Sequence, residues 1–252
     1  MQINSTIAGY GMGTSLSRAW DDIKSNVFLY AGFSVVFLIV YAILSLIPFL
    51  GMLTGFVSFI FNVSIFAACH HYRQTGQLEF GNFFSWSPKF GRLFLGNLIY
   101  VGLAILVMIP LVIISIAMLG LSAFSVLVED PQTFIITYGS TLAGIALMFV
   151  VVSIIFGIWF FAYFFLLQFT EMSYSEALKA SWKIGRNNIV QLIAFVLLSI
   201  GLSLLGVLVL IIGLAVTFPL LIATQYHFMR NFVPESSGED DWDIMKEANT
   251  SF

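Results

Sequence analysis

Six long apolar runs dominate the chain, and short polar segments separate them. A helix that crosses ~30 Å of hydrocarbon needs ~20 apolar residues, and each run is about that long or longer. The pattern therefore predicts an all-α integral membrane protein with six transmembrane helices. The runs cover residues 27–47, 50–70, 92–118, 139–167, 189–207 and 209–229.

The connections between these spans are short, with one exception. Pro48 and Gly51 mark the turn between the first two spans. The last two spans form one uncharged stretch, and we place their turn between Gly206 and Gly213. The longest connection, residues 121–138, is predicted to be an external loop between the third and fourth spans.

A short amphipathic segment precedes each odd-numbered span. In the first, residues 14–26, apolar positions recur with helical spacing on one face, and Arg18 and Asp22 lie on the other. In the third, residues 174–188, Ser173 and Glu176 form a capping box at the helix start. The middle segment is less regular and ends at Ser87-Pro88. The apolar positions are Leu16, Ala19, Trp20 and Ile23 in the first segment, Leu78, Phe80, Phe83, Phe84 and Trp86 in the second, and Leu178 and Trp182 in the third.

These segments divide the chain into three similar units, each made of an interfacial helix, a span out and a span back. The units cover about 14–73, 78–170 and 173–231. Together they form one membrane domain over residues 1–231, followed by an acidic cytoplasmic tail over 232–252. Because each unit has two spans, all three share one orientation, and their pseudo-symmetry axis is expected along the membrane normal.

Charge gives the bundle a direction. The chain is 60% hydrophobic and only 9% charged, whereas soluble domains carry about 25% charged residues. Every Lys and Arg falls on one side of the six-span map, so the positive-inside rule predicts that both termini are cytoplasmic. These residues are Arg18, Lys24, Arg73, Lys89, Arg92, Lys179, Lys183, Arg186, Arg230 and Lys246.

The interfacial segments are predicted to contact lipid headgroups, because Lys, Arg and Trp are favoured at that depth. A phospholipid membrane is therefore the expected partner, and nucleic acid is not. The acidic tail is a second candidate surface, for a protein partner. The predicted headgroup residues are Arg18, Trp20, Lys24, Lys179, Trp182, Lys183 and Arg186.

Few polar residues interrupt the spans. Asn62 and Ser64 either line a polar pocket or join helices by hydrogen bonds, and the second role is commoner. A candidate cluster of three histidines lies near the cytoplasmic ends of spans two and six, which we call the cytoplasmic lip: His70, His71 and His227. His70 and His227 would meet Cys69 if their helices are neighbours. Adjacent histidines on a helix point about 100° apart and share a metal poorly, so we expect no metal or cofactor. The aromatic residues of span four cover every face of a helix, which favours a belt that faces lipid: Phe156, Trp159, Phe160, Phe161, Tyr163, Phe164, Phe165 and Phe169.

The stretch 173–230 resembles a loose superfamily of bacterial six-span proteins, which includes the membrane part of some glycerophosphodiester phosphodiesterases. The resembling residues are Glu176-Ala177-Leu178, Ser181-Trp182 and Arg186-Asn187-Asn188, followed by an apolar hairpin. The resemblance implies a six-span fold in the bacterial inner membrane. It implies no activity, because the phosphodiesterase chemistry resides in a separate soluble barrel.

Three functions fit this sequence to different degrees. The leading hypothesis is a non-enzymatic accessory or scaffold protein that acts through lipid or protein contacts, because an uncharged membrane interior lacks coupling or acid–base chemistry. The alternative is a permease or lipid-handling protein with a cavity lined by Asn62. A third hypothesis is a membrane enzyme that uses the lip histidines with Glu171 or Glu176.

Overall fold

A computed structural model of the chain describes residues 11–47, 54–120 and 122–233. Within these ranges there are ten α-helices, two short 3-10 helices and no strand. The predicted turn at Pro48 and Gly51 and the acidic tail from Pro234 lie outside the described residues. The helices are α1 (Met12–Ser25), α2 (Val27–Leu46), α3 (Thr54–Thr75), α4 (Phe90–Leu119), α5 (Ser122–Glu129), α6 (Pro131–Trp159), α7 (Tyr163–Phe169), α8 (Tyr174–Asn187), α9 (Ile189–Leu208) and α10 (Leu210–Arg230).

Five helical stretches in the described ranges are long and apolar enough to cross a membrane. The chain therefore has the architecture of an all-α membrane protein. The five stretches are Val27–Leu46, Thr54–Thr75, Phe80–Leu119, Pro131–Phe169 and Ile189–Leu208.

Two 3-10 helices precede α4, and we call them together the 3-10 segment. They are Phe80–Phe84 and Ser87–Lys89.

The turn between α9 and α10 falls at Val209, between Gly206 and Gly213 as predicted. The two glycines touch across this turn, since a Cβ on Gly213 would lie 2.4 Å from the carbonyl oxygen of Gly206. No larger side chain fits there without moving backbone. The close approach explains why the hairpin has glycine at both positions.

The prediction of an external loop over residues 121–138 is wrong. Two helices occupy most of it: α5, and the first two turns of α6, which begins at Pro131. Asp130 caps α6 by accepting hydrogen bonds from the backbone N–H groups of Gln132 and Thr133, both at 3.1 Å. The Asp-Pro pair is a helix start signal, and the prediction overlooked it.

The fourth predicted span is also not one continuous helix. Helix α6 ends at Trp159, the chain turns, and α7 begins at Tyr163. The predicted lipid-facing belt is wrong for three of its eight aromatic residues, which are buried, and four others are partly buried against the core. Phe156, Tyr163 and Phe165 are buried, while Trp159 keeps 39% of its surface exposed.

The core lies at one end of the bundle, around α10. Helix α10 packs against α1, α2, α3 and α9. The fully buried large side chains come from the first turns of α2 and α4, the last turns of α1 and α3, the end of α10 with Phe232 after it, α7 and the 3-10 segment. Because the described Lys and Arg residues lie on α1, on α8, on the 3-10 segment and at the neighbouring ends of α3, α4 and α10, we call this the basic end.

Away from the basic end the helices make little contact with protein. In the most apolar 18 residues of the stretch that contains α4, only 6% of the residues are buried, and in those of α9 only 11% are buried. Leu106, Ile113, Leu197 and Leu204 each expose more than half of their surface. Apolar faces of this kind are stable only against lipid or another apolar surface.

Candidate functional site

The first candidate site is a buried polar contact between α1 and α10. We call such a hydrogen-bonded contact between two elements a joint. Asp22 and His227 meet there with 2.8 Å between Oδ2 and Nε2, and their side chains are only 1% and 3% exposed. Asp22 was predicted on the polar face of α1 with Arg18. That assignment is wrong, because the buried face consists of Ser15, Ala19, Asp22 and Ile23, and the partner of Asp22 lies 205 residues away in the sequence.

A second layer of polar contacts lies beside this pair. The Tyr30 hydroxyl lies 3.5 Å from Cys69 Sγ, and both side chains are fully buried. The Tyr226 hydroxyl lies 3.1 Å from His70 Nδ1 and accepts a hydrogen bond from the Arg230 guanidinium at 3.2 Å. These contacts connect α2 to α3 and α3 to α10, so polar groups join the helices at the basic end.

The histidines of the predicted lip cluster have different hydrogen-bond partners. His70 contacts Tyr226, and His227 contacts Asp22 instead of Cys69. His71 is half-buried near the end of α3, where its carbonyl accepts a hydrogen bond from Thr75. Over the part of the chain that the structure describes, no three His, Cys, Asp or Glu side chains form a group that could hold a metal.

The second joint fixes the 3-10 segment to α3. The indole Nε1–H of Trp86 donates to Ser64 Oγ at 2.9 Å, and both residues are buried. Ser64 therefore joins two elements. Asn62, one turn away from Ser58 on the same helix, donates to the Ser58 carbonyl at 2.9 Å and lines a cavity.

The third joint fixes α8 to the break between α6 and α7. The Ser181 hydroxyl donates to the Trp159 carbonyl at 3.1 Å and accepts from the Ala162 N–H at 3.2 Å. One turn later, Gly185 packs against backbone, since a Cβ there would lie 2.5 Å from the Ile158 carbonyl oxygen. Ser181 thus satisfies backbone groups that the helix break leaves without a helical partner.

Glutamine side chains make two further joints through backbone carbonyls. The Gln168 amide on α7 donates to the Val63 carbonyl on α3 at 3.0 Å. The Gln225 amide on α10 donates to the Phe161 carbonyl in the α6–α7 break at 2.8 Å. In both cases one membrane helix is linked to another by a neutral hydrogen bond.

Glu171 connects the α7–α8 turn to the start of α4. Its carboxylate accepts from Lys89 at 3.2 Å and from Arg92 at 2.9 Å, and Arg92 also donates to the Met172 carbonyl. The hydrogen bond and charge of Lys89, and then the charge of Arg92, lower the pKa of Glu171 below its ordinary value. Hydrogen bonds lower two other carboxyl pKa values: those from the Ser173 side chain and backbone for Glu176, and those from Thr133 for Asp130.

The predicted capping box of α8 is present. The Ser173 hydroxyl caps the N–H of Glu176, and the Glu176 carboxylate accepts from the Ser173 N–H at 2.9 Å. This box fixes the first turn of α8 and therefore the position of its basic residues. The local signal in the sequence was sufficient here, because both partners lie within four residues.

The predicted headgroup residues differ in their surroundings. Trp20 and Trp182 are 48% and 46% exposed. Lys24 pairs with Asp21 at 2.6 Å, and Arg18 is half-buried near His227, on which its charge acts. On α8 three cations are exposed: Lys179, Lys183 and Arg186.

Two cavities lie beside α10. The first, about 410 Å³, lies between α2, α3 and α10 and includes Ser34, Tyr41, Ser58 and Asn62 among apolar side chains. The second, about 600 Å³, is an open groove between α6 and α9 with Gln225 of α10 in its wall. The sequence predicted only the cavity at Asn62.

Comparisons with known proteins add no family to this description. No protein-family model, curated protein or solved structure matches the chain.

Proposed function

We propose that the chain is a six-span protein of the bacterial inner membrane, with both termini in the cytoplasm and α10 as the sixth span. It consists of three units, each with a segment at the basic end, a span out and a span back. The spans back are α3, the α6–α7 pair and α10. The superfamily resemblance of residues 173–230 fits this layout.

The joints support the three-unit arrangement because they repeat in a cyclic order. The 3-10 segment of the second unit binds α3, the span back of the first, through Trp86 and Ser64. Helix α8 of the third unit binds the α6–α7 break through Ser181. Helix α1 of the first unit binds α10, the span back of the third, through Asp22 and His227. Three such contacts, each between one unit and the span back of another, fit an arrangement of the units around an axis along the membrane normal.

The proposed function is that of a non-enzymatic accessory or scaffold protein acting through lipid or protein contacts. One observation carries this proposal: the buried polar side chains Asp22, His227, Ser64, Trp86 and Ser181 are used in hydrogen bonds between helices at the basic end, whereas the span faces are apolar and exposed. A surface of this kind is suited to contact with lipid or with another membrane helix. The acidic tail offers a further contact for a cytoplasmic partner.

Photocrosslinking in the native membrane tests this proposal. A benzophenone amino acid replaces Leu106 on the exposed face of α4, which is 65% exposed, and the matched control replaces the exposed Ser175 on α8. We expect discrete lipid or protein adducts at Leu106, identified by mass spectrometry, that Ser175 does not form. Absence of adducts at Leu106, or turnover of a substrate by the pure protein that one substitution abolishes, would contradict the proposal.

A permease or lipid-handling role is the second candidate, and the cavity at Asn62 favours it. The cavity combines apolar walls with the hydroxyls of Ser34, Tyr41 and Ser58. Such a lining suits an apolar cargo that carries a small polar group. The test measures the rate at which proteoliposomes transfer a fluorescent lipid. A rate that Asn62→Leu slows several-fold, and that Ser45→Ala on the exposed side of α2 leaves unchanged, would support this role. Equal rates for the wild type and both variants would exclude it.

A further inference from the structure

The groove between α6 and α9 has the dimensions of a lipid-chain site. It is lined along α9 by residues from Leu192 to Val207, which spans roughly 22 Å at 1.5 Å per residue. One leaflet of a bilayer has ~15 Å of hydrocarbon, half of ~30 Å. A single acyl chain running along α9 would therefore lie inside the groove over its full length.

The walls of the groove are apolar and widely open to the surroundings of the bundle. Ile158, Phe161, Phe195 and Val196 provide most of the wall near the basic end, and Gln225 contributes one amide whose N–H is bonded to the Phe161 carbonyl. The lining therefore presents no charged group to a ligand. It suits a hydrocarbon chain and would exclude a hydrated ion.

The basic stripe of α8 begins where the groove ends. Ile158 lines the groove and contacts Gly185 of α8, and Arg186 is the next residue. Lys179, Lys183 and Arg186 recur at helical spacing on one face, and all three are exposed. The Arg186 guanidinium lies 5.9 Å from the centre of the Trp182 ring, which holds it beside an aromatic surface.

These three cations form no ion pair in the described part of the chain, and the charge of Lys179 acts only at longer range on the Glu176 carboxylate one turn earlier. Lys24 pairs with Asp21, and Lys89 and Arg92 pair with Glu171, but no described carboxylate lies within ion-pair distance of Lys179, Lys183 or Arg186. An anionic ligand at the mouth of the groove would neutralise them. A zwitterionic ligand would do so less well.

We propose that the α8 stripe and the α6–α9 groove together bind one anionic phospholipid, with the phosphate at Lys183 and Arg186 and one acyl chain along α9. This inference rests on the proposed role through lipid contacts and names the lipid class. Charge complementarity at one end and an apolar groove of matching length at the other select this occupant over a soluble anion or a neutral lipid.

Native mass spectrometry of the full chain in detergent micelles tests the site. The micelles contain equal amounts of phosphatidylglycerol and phosphatidylcholine with identical acyl chains. We expect the wild type to retain one phosphatidylglycerol about tenfold more often than one phosphatidylcholine. Because salt screens exposed charges, this preference should fall as ionic strength rises, a measurement that needs no variant.

Variants separate the two halves of the site. We expect the preference for the anionic headgroup to fall to about unity, with lipid still retained, in the triple variant Lys179→Gln/Lys183→Gln/Arg186→Gln. Ser199→Trp, which fills the groove, should reduce retention of both lipids. The matched controls are Lys89→Gln, a cation at the same end of the bundle that is already paired with Glu171, and Leu197→Trp, on the part of α9 outside the groove. Both should behave as the wild type.

Wild-type retention without headgroup preference, or a preference that survives the triple substitution, overturns the anionic site. Retention unchanged by Ser199→Trp overturns the groove. Either result leaves the broader role through lipid contacts in place, because that role is contradicted by the separate crosslinking experiment at Leu106.

Discussion

Asp22 and Asp21 show how neighbouring residues of one type acquire opposite roles. Asp21 forms an exposed pair with Lys24, whereas Asp22 is buried against His227. Exposed pairs contribute ~0.2–1 kcal/mol. Removing one partner of a buried pair costs roughly 3–5 kcal/mol, because the other partner stays buried and uncompensated.

Asp22→Ala should therefore destabilise the protein by roughly 3–5 kcal/mol, and Asp21→Ala by less than ~1 kcal/mol. Replacing both Asp22 and His227 by apolar residues, as in Asp22→Leu/His227→Phe, should recover most of the loss. Thermal unfolding in detergent measures all three. Equal effects of the two single substitutions would contradict the structural role of the buried pair.

Gly185 of α8 packs directly against the backbone at the end of α6. A Cβ at this position would lie 2.5 Å from the Ile158 carbonyl oxygen and 3.0 Å from the Trp159 Cα. Both are backbone atoms, so relief of the clash requires α8 to move away from the helix break.

We expect Gly185→Ala to destabilise the protein by roughly 1–3 kcal/mol, as overpacking of a tight contact does. Gly201→Ala on α9 is the control, because its Cβ would meet nothing within 4 Å, and there alanine should stabilise by ~0.5–1 kcal/mol. Denaturation midpoints of the two variants should therefore shift in opposite directions, and shifts of the same sign would show that Gly185 has room.

At the scale of elements, the three segments at the basic end are fixed by polar contacts of different chemistry. A buried ion pair or hydrogen bond holds α1, an indole–hydroxyl bond holds the 3-10 segment, and a serine bonded to backbone holds α8. The common feature is that each segment closes one gap between membrane helices. This arrangement explains why the core lies at the basic end.

Glu171 links two elements in a way that depends on pH. Its pKa is lowered in the folded protein by Lys89 and Arg92, so its contribution to stability is present above its unfolded-state pKa and is lost as pH falls through the lower folded-state pKa. The melting temperature of Glu171→Gln should thus lie below that of the wild type at pH 7.

The difference in melting temperature should shrink as pH falls below the ordinary glutamate pKa of ~4.3 and disappear below the lower folded-state pKa, where the wild-type carboxylate is protonated in both states. Differential scanning calorimetry of both proteins across roughly pH 3 to 7 measures this difference. Glu129→Gln, at the opposite end of the bundle, is the control. A constant difference at all pH values would mean that Glu171 acts through packing instead of charge.

At the scale of the whole molecule, the protein is tightly packed at the basic end and exposes apolar helix faces elsewhere. Charge follows the same division, because the described Lys and Arg residues lie at the packed end. The positive-inside rule predicts that this end faces the cytoplasm, as proposed above. The assignment makes a prediction that is independent of any function.

In a Cys69→Ala background, Val128→Cys should react with a membrane-impermeant maleimide on intact cells, because Val128 is 83% exposed and lies on the predicted outer side. Ser175→Cys at the exposed start of α8 should react only after the membrane is permeabilised. Labelling is read by gel shift. The reverse pattern would invert the proposed topology.

Much of the helical layout could be predicted from the sequence. Apolar run length gave the helices near 27–46, 90–119 and 189–208, and local signals gave the capping box at Ser173 and Glu176 and the turn at Val209. These features depend on residues that are close in the chain. The Asp130-Pro131 helix start was equally local and could have been found.

The sequence by itself determined that the chain is helical, that its long helices are apolar enough for a membrane and where the α9–α10 turn falls, because those properties depend on length, hydropathy and short-range signals. Only the tertiary structure decided which faces are buried, that α6 and α7 are separate, and that Asp22 meets His227. The physical reason is that lipid is as apolar as a protein core. Hydrophobicity then carries no information about which face packs, and a few polar contacts between distant residues decide it.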